Sequence, residues 1–458
     1  MNANDTKTEI ANKVDMLHGP LLRKIIVFSL PLAASSMLQQ LFNSVDVAVV
    51  GHFVGSRALA AVGSNAPVIS LLINLFMGIS MGANAIISNH IGQNDAERIR
   101  RSVSTVGMLA LVSGAVLLVA GLLVARPILT WMDTPPEVLD MAVLYLRIYF
   151  LGIPFFMIFN FGAAILRSMG DTRRPLYILV AAGIVNTVLN LLFVLCFGMG
   201  VEGVAIATGI ANVVSAATMV YLLRREADPF RLHVKSIGLD RRELSRMLKI
   251  GVPAGLQGMI FSVSNVLVQS TINSYGASAV AGSAAAQNFE YYCYFLVTAF
   301  DGAAITFIAQ NYGARQMDRV KRVFLLCMGL AVVSCAGLNW TFILGERFFL
   351  GLFSSDPQVH AFGMERMHIA LALQSLACSY EISGSSLRGM GRSLMPTLYT
   401  VVGTCLLRVA WVFLVCPHWH GFRVLMAVYP VTWVVTGTMV LTSFLVLLRK
   451  ECRRCAEA

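Results

Sequence analysis

Charged side chains are scarce. They make up 13% of the 458 residues, about half the share in an ordinary soluble domain, while 57% are hydrophobic. This excludes a disordered chain, a solvated coiled coil and an ordinary soluble enzyme, and makes lipid the solvent for most of the chain. A disulfide framework is excluded too, because the nine Cys sit mostly singly in apolar runs. Cys452 and Cys455 form one CxxC, without the second pair or His partner that a zinc site needs. There is no GxxxxGK[ST] phosphate loop, so ATP drive is not encoded, and no catalytic constellation is found. The chain is therefore not read as an enzyme, and no cofactor or metal site is expected. Residues 1–20 are polar and lack the apolar core of a cleavable signal peptide.

What is present is a succession of apolar runs, each near the ~20 residues that a membrane-spanning helix needs. Twelve spans are expected, at 24–50, 60–89, 103–125, 141–165, 175–198, 203–223, 248–272, 284–311, 323–345, 361–386, 394–416 and 423–448. The runs are too long and uniform for the alternation of a membrane barrel. The fold class expected is an all-α integral membrane protein. Of the 35 Lys and Arg, all but Arg57, Arg126, Arg147, Arg347, Arg366, Arg408 and Arg423 lie on the N-terminal tail and on alternate loops. Positive-inside bias makes that side, with both termini, cytoplasmic. The net charge of +11 then reflects topology, not nucleic-acid binding. His418 and His420 flank Trp419 in an external loop and read as interfacial residues.

The chain also repeats itself. At an offset of 221 residues Gly55 falls on Gly276, Gly92 on Gly313, Pro136 on Pro357 and Pro175 on Pro396. Arg167-Ser168-Met169-Gly170 falls on Arg388-Gly389-Met390-Gly391, and with one residue of slack Pro31 meets Pro253. The reading is a duplicated six-helix unit: tail 1–20, N-terminal lobe 21–223, cytoplasmic linker 224–247, C-terminal lobe 248–448 and tail 449–458. Two such bundles are expected about a pseudo-two-fold axis along the membrane normal, with Pro31 and Pro253 as hinges, an arrangement typical of secondary transporters.

A charge deep in the bilayer costs at least ~2.5–3.5 kcal/mol, so such residues are functional or paired. The candidates are Asp46, Glu290, Asp301, Glu381 and Arg408. Asp46 is the sole acid within the spans of the N-terminal lobe. Asn186 and Asn190, four apart on one helix face, and Thr208 add neutral oxygens. This set suits a proton or a hard cation such as Na⁺; the alternative is that the two Asn only join helices by hydrogen bonds. Glu290 and Asp301, eleven residues apart, fall within ~20° on one helix face and would attract a cationic substrate. Glu290 is placed nearer the outer, solvated end. Gln257, Asn265 and Gln287 add hydrogen bonds, and Tyr294 an aromatic face for an organic cation. Glu381 is read as structural, with Arg408 pairing to it or to Asp301. Four acids against one Arg favour cationic cargo.

These features together resemble the multidrug and toxic compound extrusion (MATE) family. The match rests on Pro31 with Asp46 fifteen residues later, Ala58-Leu59-Ala60-Ala61-Val62-Gly63, Arg167-Ser168-Met169-Gly170-Asp171, Asn186-x-x-x-Asn190-Leu191-Leu192 and Gly251-Val252-Pro253. It covers nearly all of 20–450. The resemblance implies a monomeric antiporter that exports organic cations and amphipathic compounds by alternating access, driven by H⁺ or Na⁺. Asp46, Asn186 and Thr208 match the family's cation site. Asn190 departs from it, since an Asp often stands there, and Phe261 stands where some branches carry a Glu. The alternatives are a flippase for a lipid-linked saccharide and a non-transporting membrane sensor or scaffold.

Overall fold

The computed structural model describes residues 13–419 and 421–457; residues 1–12 of the expected tail, and His420, lie outside the described residues. Among the described residues every regular element is helical. The long helices are α1 (Leu21–Val49), α2 (Ser56–Gly92), α3 (Ala96–Trp131), α4 (Pro136–Ser168), α5 (Arg173–Leu191), α6 (Val201–Arg225), α7 (Arg241–Asn273), α8 (Ala277–Gly313) and α9 (Met317–Leu344). They are followed by the broken segment α10 (Pro357 to Gly389), by α11 (Leu394–Val415, with π-helical stretches) and by α12 (Val428–Glu457). Eleven of these helices are long and apolar enough to cross a bilayer.

The expected tenth span, 361–386, is not one continuous helix. It runs as α10a (Pro357–Arg366), a π turn (Met367–Leu371), a 3₁₀ turn (Gln374–Ala377) and α10b (Cys378–Gly389). This segment carries Arg366, Gln374, Glu381 and Arg388, and the changes of helical pitch reset the direction in which the polar side chains point. Counting it, the described residues hold twelve long helical segments, the number expected.

The internal repeat is visible in the helix boundaries. α2 and α8 each have 37 residues, and their starts, Ser56 and Ala277, stand 221 apart. α4 and α10 both open on a proline, Pro136 and Pro357. Gly55 and Gly276 both precede their helices with positive φ, 114° and 94°, a conformation that glycine reaches without a Cβ clash.

The helices pack as two compact units. The first comprises Ala34–Gly255 with the described residues up to Asp15; the second comprises Met16–Ala33 and everything from Leu256 onward. Unit membership therefore changes inside α1 and α7, close after Pro31 and Pro253, where the ring removes a backbone donor.

Within the first unit, the start of α7 is held by glycines. Gly78 and Gly82 of α2 face Gly251 and Gly255 of α7: a Cβ on Gly78 would stand 2.3 Å from the Gly255 nitrogen, and one on Gly251 would stand 2.4 Å from Ile79 Cα. Such small-xxx-small pairs let two membrane helices touch backbone to backbone. The same end of α7 is pinned by charge. His90 Nε2 meets Glu243 Oε2 at 2.8 Å, Ser102 Oγ donates to the same oxygen at 3.2 Å and Arg246 reaches the other at 2.9 Å. Asp240 caps the helix, accepting from the Arg242 and Glu243 amides at 2.8 and 3.1 Å. Within the second unit, Phe28 meets Phe307 edge-on at 5.4 Å, and Asn311 and Arg319 donate to the Met16 carbonyl at 3.2 and 3.1 Å.

Candidate functional site

In the first unit, α1, α5 and α6 bring four predicted residues together. Asn190 Nδ2 donates to Asp46 Oδ1 in a short hydrogen bond, and Thr208 Oγ1 donates to Asp46 Oδ2 at 3.4 Å. Asn186 Nδ2 donates to Thr208 Oγ1 at 3.2 Å, and Asn190 Nδ2 also approaches Asn186 Oδ1 at 3.3 Å. Helical spacing explains the pair: Asn186 and Asn190 are one turn apart on α5 and share a face. Asp46 is half-buried, Asn186 is buried and Asn190 is fully enclosed. Among the described residues no cation lies beside Asp46, and its polar neighbours are amides and a hydroxyl. Asn190 Oδ1 is buried without a hydrogen-bond partner. Tyr145 and Tyr149 of α4, close enough to feel the Asp46 charge, were not singled out from the sequence.

In the second unit the expected ion pairs are replaced by others. Glu290 is not solvated at the outer end. It is buried and clasped bidentately by Arg366, at 2.7 and 2.9 Å. Arg366 also donates to Ser283 Oγ at 2.7 Å, and Gln374 donates to the Glu290 carbonyl at 2.9 Å. Arg408 pairs with neither Glu381 nor Asp301. It donates to Asn265 Oδ1 at 2.6 Å and lies over the rings of Phe261 and Tyr429, each 4.9 Å from the guanidinium carbon. Phe261 thus stacks a cation, a contact that a carboxylate there would replace with an ion pair.

Asp301 and Glu381 form a third group. Asp301 is buried and Glu381 half-buried beside Arg388, which among the described residues closes an ion pair on neither and donates instead to Gln257 Oε1 at 2.7 Å. Tyr294 Oη reaches Glu381 Oε1 at 3.3 Å, and Tyr380 and Ser385 complete the surroundings. Among the described residues Asp301 Oδ1 has no hydrogen-bond partner. The structure thus joins predicted Asp301, Gln257, Tyr294 and Glu381 in one cluster. It leaves Asn265 with Arg408, and Gln287 donating to Tyr291 at 3.2 Å in an exposed pair.

Arg366 and Arg388 are the residues that sequence reasoning missed. Arg366 was set apart from the basic segments but left out of the in-span charges although it falls inside the interval 361–386, and Arg388 was assigned to the basic side by its loop position. Both are buried. The count of four in-span acids to one Arg is therefore overturned: in the second unit three buried guanidiniums, Arg366, Arg388 and Arg408, stand against Glu290, Asp301 and Glu381.

A duplicated all-α bundle with isolated carboxylates buried among amides and hydroxyls is the construction of a membrane transporter. The chain belongs to the MATE family, whose MatE domain it matches twice, over residues 31–192 and 253–414, once in each repeat. A Bacillus subtilis relative named "Probable multidrug resistance protein YoeA" is 28% identical over 388 residues, 83% of either chain. A Shewanella oneidensis relative named "FAD transporter" is 27% identical over 350 residues, 75% of this chain and 77% of that one. Among solved structures, the outward-facing conformation of a multidrug resistance MATE family transporter of the MOP superfamily superposes with a TM-score of 0.89 at 21% identity, over 96% of this chain and 99% of that one.

Proposed function

We propose that this protein is a cation-coupled antiporter of the plasma (inner) membrane, with both termini cytoplasmic, acting as a monomer on small organic cations and amphipathic compounds by alternating access. The observation that carries the proposal is the Asp46 group. Among the described residues its carboxylate has no cationic partner and the buried Asn190 Oδ1 has no donor. A hard cation would be ligated by Asp46, Asn190, Asn186 and Thr208 oxygens; a proton would sit on Asp46 itself. The single negative charge favours H⁺ over Na⁺, because Asn190 supplies an amide rather than a second carboxylate. Coupling requires only that the ion bind one conformation more tightly than the other, by an affinity difference that biases the equilibrium. Pro31 and Pro253, close to where α1 and α7 change units, serve as hinges.

For the cargo, Glu290 is neutralised by Arg366, so Asp301 and Glu381 are the acids left to attract a cation, with Gln257 and Tyr294 beside them. A second reading has a specific observation behind it: the even balance of guanidiniums and carboxylates in the second unit, together with a relative named for FAD transport, fits an anionic nucleotide cargo. Efflux of a cationic dye from cells, challenged by a neutral amphiphile or by FAD, tests the choice. Competition by cationic and amphipathic compounds alone supports the first reading. Export of FAD with no dye efflux would overturn it.

A further inference from the structure

A cavity of about 420 Å³ lies in the first unit where the loop before α7 folds onto the start of α3, lined by Arg100, Arg101, Arg231, His233, Ser104 and Asp240 among others. That volume is in the range of ligand pockets, about 300–1,000 Å³. The loop is built in place. Gly238 N donates to Ser104 Oγ at 2.8 Å, Ser104 Oγ reaches the Ser236 carbonyl at 3.1 Å, and Asp240 N donates to Thr105 Oγ1 at 3.1 Å.

The charge of this cavity is positive and only partly compensated. Arg100 and Arg101 share one carboxylate, Glu97, at 3.0 and 2.9 Å. Arg231 has no side-chain partner among the described residues. The one acid in the lining, Asp240, is engaged by the α7 amides, with Arg101 3.9 Å away. The cavity also sits at a defined depth. Ser104, in its wall, directly follows Val103, where the apolar run of α3 begins; Leu239, also in the lining, and Val234, next in sequence to the lining residue His233, are large apolar residues left 44% and 49% exposed. Guanidiniums converge on phosphate oxygens in pairs, and basic residues at a membrane surface draw anionic lipid.

We propose that this cavity binds a phosphate-bearing anion, presented as the headgroup of an anionic phospholipid whose acyl chains rest against Val234 and Leu239. The proposal needs only that the chain spans a membrane; it does not depend on the transported cargo or on the coupling ion.

The test uses the full-length protein in detergent, titrated with phosphatidylglycerol, phosphatidylcholine or glycerol 3-phosphate and read by native mass spectrometry. The parent should retain phosphatidylglycerol in preference to phosphatidylcholine, with glycerol 3-phosphate competing only at far higher concentration. R100Q combined with R231Q should weaken retention about 25-fold, or about fivefold for each guanidinium removed. R231E alone, which breaks no internal contact, should weaken it more than fivefold and covers the case in which the double variant folds poorly. R224Q with R225Q, which removes two charges at the end of α6 outside the cavity, should leave retention unchanged. Equal retention of the two lipids, parental retention by R231E, or an equal loss in the α6 variant would overturn the proposal. Glycerol 3-phosphate binding as tightly as the lipid would overturn the headgroup assignment and make the ligand a soluble phosphate.

Discussion

Replacing Asp46 by Asn exchanges one oxygen for an amino group and leaves the shape of the side chain intact. The new carboxamide can still accept from Asn190 Nδ2 and can donate to Thr208 Oγ1, so both contacts survive as neutral hydrogen bonds. A hydrogen bond to a charged group contributes about 1.5–3 kcal/mol and a neutral one about 0.5–1.5, so two weakened bonds cost about 2–3 kcal/mol together. Removing a carboxylate from the bilayer returns at least about 2.5–3.5 kcal/mol. The two nearly cancel, and folded yield by fluorescence-detected size exclusion should stay within about twofold of the parent. Gradient-driven dye efflux should nevertheless fall to the level of cells without the transporter, because the variant has no group that takes up the coupling cation. Adding Asn190→Asp returns the charge to the other end of the same hydrogen bond and should recover part of the efflux. Asp46→Asn protein that folds and still exports at the parental rate under a gradient would refute the reasoning.

Four further outcomes follow from other contacts. Glu290→Gln leaves Arg366 buried without its charge partner and should destabilise the protein by about 3–5 kcal/mol, read as lost folded yield that Glu290→Leu with Arg366→Met restores. Asp301→Asn should lower dye efflux while preserving folded yield, and Arg408→Leu should not act as its suppressor, since Arg408 contacts Asn265 and two aromatic rings instead; suppression would reinstate an Asp301–Arg408 pair. Gly251→Leu drives a side chain into the α2 backbone and should cost about 3 kcal/mol or more, visible as a fall in melting temperature. Asp240→Ala should cost about 1 kcal/mol through the lost cap. The backbone amide of Glu243 holds the Asp240 carboxyl below the usual carboxylate range, so its contribution is present at neutral pH and lost as pH falls through that depressed value. The melting-temperature gap between Asp240→Ala and parent should therefore narrow on acidification.

The parts legible in the sequence are those set by local pattern. Apolar run length placed the spans, and the 221-residue offset reappears in helices as closely matched as Ser56–Gly92 and Ala277–Gly313. The Asp46 group was legible because its members are few: one acid, two Asn one turn apart and one hydroxyl in otherwise apolar helices. Partner choice in the second unit was not legible. Whether Glu290 meets Arg366 or Arg408 depends on helix rotation and depth, and no residue spacing encodes those. Arg366 was left out of the in-span charges, and its helix, which changes pitch at Met367–Leu371, holds it at 1% exposure. Arg388 was hidden by charge statistics, because a basic residue at a helix end reads as topology even where, as here, it turns inward to Gln257 and two carboxylates. The change of units within α1 and α7 was equally hidden, since it rests on tertiary packing, such as the glycine contacts of Gly251 and Gly255, rather than on any break in the helix.

The central claim is that a cation gradient drives export through Asp46. Its most direct test is dye flux in proteoliposomes containing the purified protein, with a pH gradient and a Na⁺ gradient imposed separately on parent and Asp46→Asn. Uphill dye movement driven by the pH gradient in the parent, and absent in Asp46→Asn, is the predicted result. Dye movement indifferent to both gradients, or equal in the two proteins, would contradict it.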